Sequence, residues 1–270
     1  MIIDVNVNLS RWPARRLPCD EPRQLVERLR RHGVTQAWAG SFDGLLHRDI
    51  AGVNQRLAST CRDCGEGLLV PFGSVNPTLP DWLDDVRRCR REHSMPGIRL
   101  HPNYHGYPLD APVFADVLDA AIEHNLIVQL AVRMDDHRVQ QPLLHVPDVD
   151  VAPLAELVAA RPKLRFVLLN ALRTLRGDAL VRLADAGEVY FEISMLEGVG
   201  AIARLVKTLP VERVLFGSHL PLFYFESAAL KMKESELTEA QRAAILRENA
   251  RRLLGARVTS SHGQGQGQGP

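Results

Sequence analysis

Eight short apolar runs alternate with helical stretches from residue 2 to about residue 255. The runs are 2–9, 34–40, 68–75, 97–101, 126–132, 165–169, 189–194 and 213–217. Most are nearly continuous in Val, Ile, Leu and Phe, as parallel strands covered on both faces should be. The stretches between them repeat apolar residues at helical spacing. Gly33 and Gly65 follow the first two, where a helix needs a residue that tolerates positive φ. Strand–helix repetition of this kind builds a parallel sheet. Eight units in about 255 residues match the size of a closed barrel, roughly 250 residues. A dinucleotide-binding sheet would carry GxGxxG after its first strand, and residues 2–32 contain no glycine. The expected fold is α/β: a single (β/α)8 TIM barrel over residues 1–255 with an extra C-terminal helix. The Gly/Gln-rich tail, 256–270, is expected to be disordered.

Composition narrows the partners. The formal net charge is +1, so no global field recruits nucleic acid or an anionic membrane. No apolar run reaches the roughly 18 residues that span a bilayer. MIIDVNVNL lacks a basic leader, which points to the cytoplasm. Four Cys make no disulfide framework, and the Cys61–Cys64 CxxC has no partner pair for zinc.

A barrel of this type keeps its chemistry at the C-terminal ends of its strands. Here those ends are polar and rich in amides. Strand one offers Asn6 and Asn8, which alternation places with Asp4 on one face, opposite Ile3, Val5, Val7 and Leu9. Strand four offers Arg99 and His101, with His105 in the aromatic loop beyond. Strands five to seven offer Gln129, Asn170, and Glu192 with Ser194. Strand eight offers Ser218 and His219, with Tyr224 and Glu226 following. Such a mouth suits a small molecule. The alternative is a set of amides that knit the barrel top together.

The segments IIDVNVNL, GIRLHP, LRFVLLN, ERVLFGSHLPL and NARRLL resemble the amidohydrolase-related family of metal-dependent TIM-barrel hydrolases and decarboxylases. The resemblance spans residues 2 to about 255 and implies a hydrolase or lyase acting on a small carbonyl- or carboxylate-bearing molecule. It also implies a metal site that this chain has changed. The family's His-x-His pair falls at Asn6 and Asn8. Its strand-five His falls at Ala131, its strand-six His at Asn170, and its strand-eight Asp at His219. Amides are weak metal ligands and alanine is none, so no metal is expected at these positions. A divalent metal at a rebuilt set, His101, His105, His219 and Glu226, is the remaining metal option.

Without a metal, the candidate catalytic residues are His219, His101 and Glu226. His219 would be the acid/base. Arg99 would clamp an anion bidentately, and the Asn6, Asn8 and Asn170 amides would donate to substrate oxygen. His105 would lie in a lid, with Gln129 and Glu192 completing the binding set. The competing reading is a non-catalytic relative: a ligand-binding or scaffold subunit, as a homo-oligomer or in a heteromer with an active homologue.

Overall fold

The computed structural model describes residues 1–255; the tail expected to be disordered lies outside the described residues. Eight strands run in sequence order around one sheet, every adjacent pair parallel. They are β1 (Ile2–Leu9), β2 (Val34–Ser41), β3 (Leu69–Ser74), β4 (Gly97–Leu100), β5 (Ile127–Ala131), β6 (Arg165–Leu169), β7 (Glu188–Glu192) and β8 (Val214–Leu215). The sheet closes on itself: Val5 N–H donates to Phe216 O (3.0 Å), His219 N–H to Asn6 O (2.8 Å), and Asn8 N–H to Leu220 O (2.9 Å). This is the (β/α)8 TIM barrel expected.

The helices are α1 (Pro22–Arg31), α2 (Ile50–Gly65), α3 (Trp82–Arg91), α4 (Pro102–His105), α5 (Pro112–Glu123), α6 (Leu154–Ala159), α7 (Gly177–Asp185), α8 (Ala201–Thr208), α9 (Phe225–Glu234), α10 (Glu239–Ala243) and α11 (Asn249–Gly255). A π-helical turn, Ala244–Glu248, joins α10 to α11, where periodicity predicts one unbroken helix. Cys61 and Cys64 are free thiols near the end of α2. Among the described residues no helix is long and apolar enough to cross a membrane.

Two apolar layers follow from the strand pattern. Side chains facing outward, such as Ala37, Ile98, Val128 and Phe166, pack under the helices. Side chains facing inward, such as Trp38, Phe72, Ile127 and Leu215, fill the barrel, and Ala250 and Leu253 of α11 join that cluster.

β1 departs from simple alternation. Its register to β2 shifts between Asp4 and Val7, a β-bulge. Ile3 and Val5 belong to the inner cluster, whereas Val7 and Leu9 belong to the outer one. The single polar face expected for Asp4, Asn6 and Asn8 is therefore corrected: the extra residue switches parity within the strand. The Val5, Val7 and Trp38 carbonyls around the bulge take side-chain donors instead.

Candidate active site

Those carbonyls are why a cation sits inside the barrel. Arg99, on β4, is 1% exposed. Its Nε donates to Gln129 Oε1 (2.8 Å), and Nη1 to Val7 O (2.9 Å) and Asn8 Oδ1 (2.8 Å). Nη2 reaches Trp38 O (3.1 Å) and Val5 O (3.5 Å). A guanidinium has five N–H donors, and all five are occupied. Burial pulls the Arg99 pKa down to about 9, with Asp4 and Glu192 opposing the fall, so the group stays cationic at neutral pH. Only glycine fits beside it on β2: a Cβ at Gly40 would stand 2.7 Å from Nη1. Arg99, expected as an anion clamp, has each of its N–H groups engaged within the protein. Gln129 is engaged likewise, with its amide donating to Val5 O (2.8 Å).

A second network joins β1, β6 and β7. Asn6 Nδ2 donates to Asn170 Oδ1 (2.8 Å) and Glu192 Oε1 (3.3 Å). Glu192 also accepts from the Asn170 and Ser194 N–H groups, both at 2.6 Å. Ser194 Oγ lies 2.8 Å from Asn170 Oδ1 and 2.7 Å from Glu192 Oε1. Asn170 Nδ2 donates to Arg133 O (2.6 Å). The amides of Asn6 and Asn170, expected as substrate donors, thus join β1, β6 and β7 through hydrogen bonds within the protein. Burial pushes the Glu192 pKa up, against the hydrogen bonds it accepts. Burial likewise pushes Asp4 up to about 7, although its Oδ1 accepts from the N–H groups of Asn6 (3.1 Å) and Ser218 (3.0 Å).

His219 stands at the end of this network. It takes a left-handed backbone, φ 60°, as Asn170 does at 59°. Such conformations cost a non-glycine residue about 1–3 kcal/mol and cluster at functional sites. The His219 ring is fully buried, and Nε2 lies 2.7 Å from Met134 O. That contact fixes the tautomer with Nε2–H donating, leaving Nδ1 as a bare acceptor. Burial lowers its pKa to about 4, so the ring is neutral. His101 is neutral for the same reason, with His105, Arg99 and His219 adding to the shift.

Several buried atoms here have no hydrogen-bond partner within the protein: His219 Nδ1, both ring nitrogens of His101, Asn8 Nδ2 and Ser74 Oγ. Each costs about 1–3 kcal/mol unless a water or ligand meets it. The mouth above them is covered. Trp12 packs edge-on against Phe42 and Tyr104. Arg15, after β1, pairs with Asp135, after β5, at 2.7 Å. His105 is part of this cover, its Nε2 lying 2.8 Å from Gly44 O.

Glu226 lies elsewhere. It opens α9, where its carboxylate pairs with Arg28 (2.5 Å) and His32 (3.3 Å). The structure pairs Glu226 with Arg28 and His32 in the first turn of α9 and not with His101, His105 or His219 of the rebuilt set. Among the described residues no group of three or more His, Cys, Asp or Glu is placed to hold a metal. Sequence reading missed Asp4 as a titrating group, Met134 as the partner of His219, and Lys231 (below). The bulge hides the first, and nothing in the local pattern signals the others.

The family model that matches this chain is described as amidohydrolase and covers residues 9–256. The chain belongs to the amidohydrolase family. No curated protein matches the sequence. Solved structures share this amidohydrolase's fold at low identity. A dihydroxybenzoic acid decarboxylase from Polaromonas sp. JS666, with bound manganese and 2-nitroresorcinol, is 13% identical with a TM-score of 0.73. The match covers 94% of this chain and 96% of that one. The 2,6-dihydroxybenzoate decarboxylase from Rhizobium is 15% identical, TM-score 0.71, covering 94% and 98%. The 5-carboxyvanillate decarboxylase from Sphingomonas paucimobilis is 13% identical, TM-score 0.69, with the same coverage.

At the positions where the resemblance puts the family's metal ligands, the side chains of this amidohydrolase are engaged with one another or carry no donor. Asn6 presents N–H groups to Asn170 and Glu192, and Asn8 gives its oxygen to the Arg99 cation. Ala131 has no donor atom, and the His219 Nε2 proton faces a carbonyl.

Proposed function

We propose that this amidohydrolase is a metal-independent hydrolase or lyase for a small carbonyl- or carboxylate-bearing molecule. The observation that carries the reading is the set of unpartnered buried atoms at the mouth: His219 Nδ1, the His101 ring and Asn8 Nδ2. Neutral His219 is the base. In hydrolysis, Nδ1 accepts a proton as water oxygen bonds to the substrate carbonyl carbon. Asn8 Nδ2 donates to the developing oxyanion. The proton then passes to the leaving nitrogen or oxygen as its bond to carbon breaks. His101 hydrogen-bonds the substrate beside it. Substrate access requires the Arg15–Asp135 cover over the mouth to open.

The test is turnover of a panel of small amides, esters, lactones and carboxylates by protein whose metal content has been measured. Expected are turnover without stoichiometric metal, and a loss of roughly 10²–10⁴-fold in His219→Ala. An unchanged rate in His219→Ala, or activity that tracks a bound metal, would sink the assignment. The replacement of every aligned ligand position favours a second reading, a non-catalytic subunit that binds a ligand or pairs with an active homologue. Absence of turnover together with co-purification of an intact His-x-His homologue would establish it.

A further inference from the structure

A cavity of about 970 Å³ lies off the barrel axis, between the loop after β7 and α9. Its size suits a small-molecule cleft, typically about 300–1,000 Å³. One wall is apolar: Met195, Leu196, Val199, Phe223, Tyr224 and Leu230. Val199, Tyr224 and Leu230 are 79%, 67% and 59% exposed, a concentration of apolar surface that water does not favour.

Four cations line the cavity, and three have carboxylate partners. Arg28 pairs with Glu226, while Arg138 and Arg173 share Asp136. Lys231 is the exception. It projects from α9, and its Nζ donates to the backbone carbonyls of Ile193 (3.1 Å) and Ser194. Among the described residues no carboxylate oxygen stands within ion-pair distance of Nζ, 4.0 Å. Burial lowers the Lys231 pKa, with Glu192, Glu197 and Glu234 opposing the fall from further away. An ammonium has three N–H donors. Two are engaged, so one donor remains beside an apolar wall, on a cation with no carboxylate in direct contact.

We infer that this cavity binds a monoanion with an aliphatic body, its carboxylate on Lys231 and its chain against Leu196, Val199, Phe223 and Leu230. One free N–H on such a cation suits a carboxylate better than a phosphate, which would bring a second charge towards Glu197 and Glu234 at the rim. The site stands apart from the reaction proposed above, and binding is read without turnover.

Octanoate and its neutral counterpart octanamide separate the two contributions by calorimetric titration at neutral pH. Octanoate is expected to bind, with octanamide about tenfold weaker because its neutral carbonyl accepts the Lys231 hydrogen bond without the opposite charge. Lys231→Met should bring octanoate down to the affinity of octanamide. That change also strips the Ile193 and Ser194 carbonyls of a donor, so the variant's fold is checked by circular dichroism. Val199→Glu, at an exposed position, decides the matter if Lys231→Met does not fold: it should weaken octanoate several-fold and octanamide less. Equal affinity for acid and amide, no binding of either at millimolar concentration, or octanoate binding indifferent to Val199→Glu would each overturn the inference.

Discussion

The barrel axis and the off-axis cavity handle charge in opposite ways. On the axis, Arg99 is sealed from water and each of its five N–H groups has an acceptor. In the cavity, Lys231 meets solvent on one side and has two carbonyl partners but no close carboxylate. A buried cation that is fully hydrogen-bonded is structural, because any ligand would have to displace protein acceptors in a low-dielectric interior. A half-buried cation with a free donor is available to a ligand at little reorganisation. Ser194 marks the border: it lines the cavity, while its hydroxyl belongs to the Asn170–Glu192 network. Adjacent parts of one barrel mouth thus divide the work, one holding the strands and the other open to small molecules.

The largest expected effect is on the axis. Arg99→Met would remove the guanidinium donor from the Val7 and Trp38 carbonyls, Asn8 Oδ1 and the Gln129 amide oxygen, while Val5 O keeps the Gln129 amide. At about 1–3 kcal/mol for a buried unsatisfied group, with partial relaxation, the loss should reach about 3–5 kcal/mol. Urea unfolding checks it. Lys231→Met should cost markedly less. Equal costs would erase the distinction between the two cations.

Gly40→Ala probes the same contact from the other side. Its Cβ would stand 2.7–2.9 Å from three Arg99 atoms. Because Arg99 is pinned by its acceptors, it cannot swing away, and overpacking of this kind costs about 1–3 kcal/mol. A neutral Gly40→Ala variant would show that the guanidinium is mobile and free to serve a ligand.

This contrast was only partly legible in the sequence. The barrel was readable because its signal repeats eight times and each unit confirms the others. The mouth residues were readable because a barrel fixes which end of each strand carries them. What those residues do was not readable. One inserted residue in β1 exposes the carbonyls that capture Arg99, and strict alternation cannot reveal a bulge. Glu226 sits seven residues after His219, yet the chain between them carries it to the outer surface with Arg28. Lys231, on an ordinary-looking helix, matters only because α9 brings it against the end of β7.

His219 gives a smaller effect, with a defined sign. Its folded pKa, about 4, lies below the unfolded value near 6.5. The unfolded chain therefore binds more protons between these values, and stability attributable to His219 falls as pH drops through that window. Asp4 runs the other way: its folded pKa, about 7, exceeds its unfolded value, so its contribution falls as pH rises from about 4 to 7. The two offset each other in the parent protein. The difference in unfolding free energy between parent and His219→Gln isolates the histidine. It should shrink from about pH 6.5 down to about 4 and be flat above 7. A flat difference throughout would mean that the ring is solvated and the mouth already open.

The smallest expected change concerns the cover over the axis. The Arg15–Asp135 pair joins the loops after β1 and β5, with Arg15 38% and Asp135 3% exposed at the side chain. A pair open to water on one side contributes about 0.2–1 kcal/mol, so Arg15→Gln should barely move the urea midpoint. Local opening is a more sensitive readout, because a loop near the low end of the stability range responds directly to a lost tether. Amide hydrogen exchange around Met134 should accelerate about two- to fivefold, while octanoate affinity in the off-axis cavity stays unchanged. If both respond, the cover and the cavity wall move as one body, and the barrel mouth is a single site rather than two.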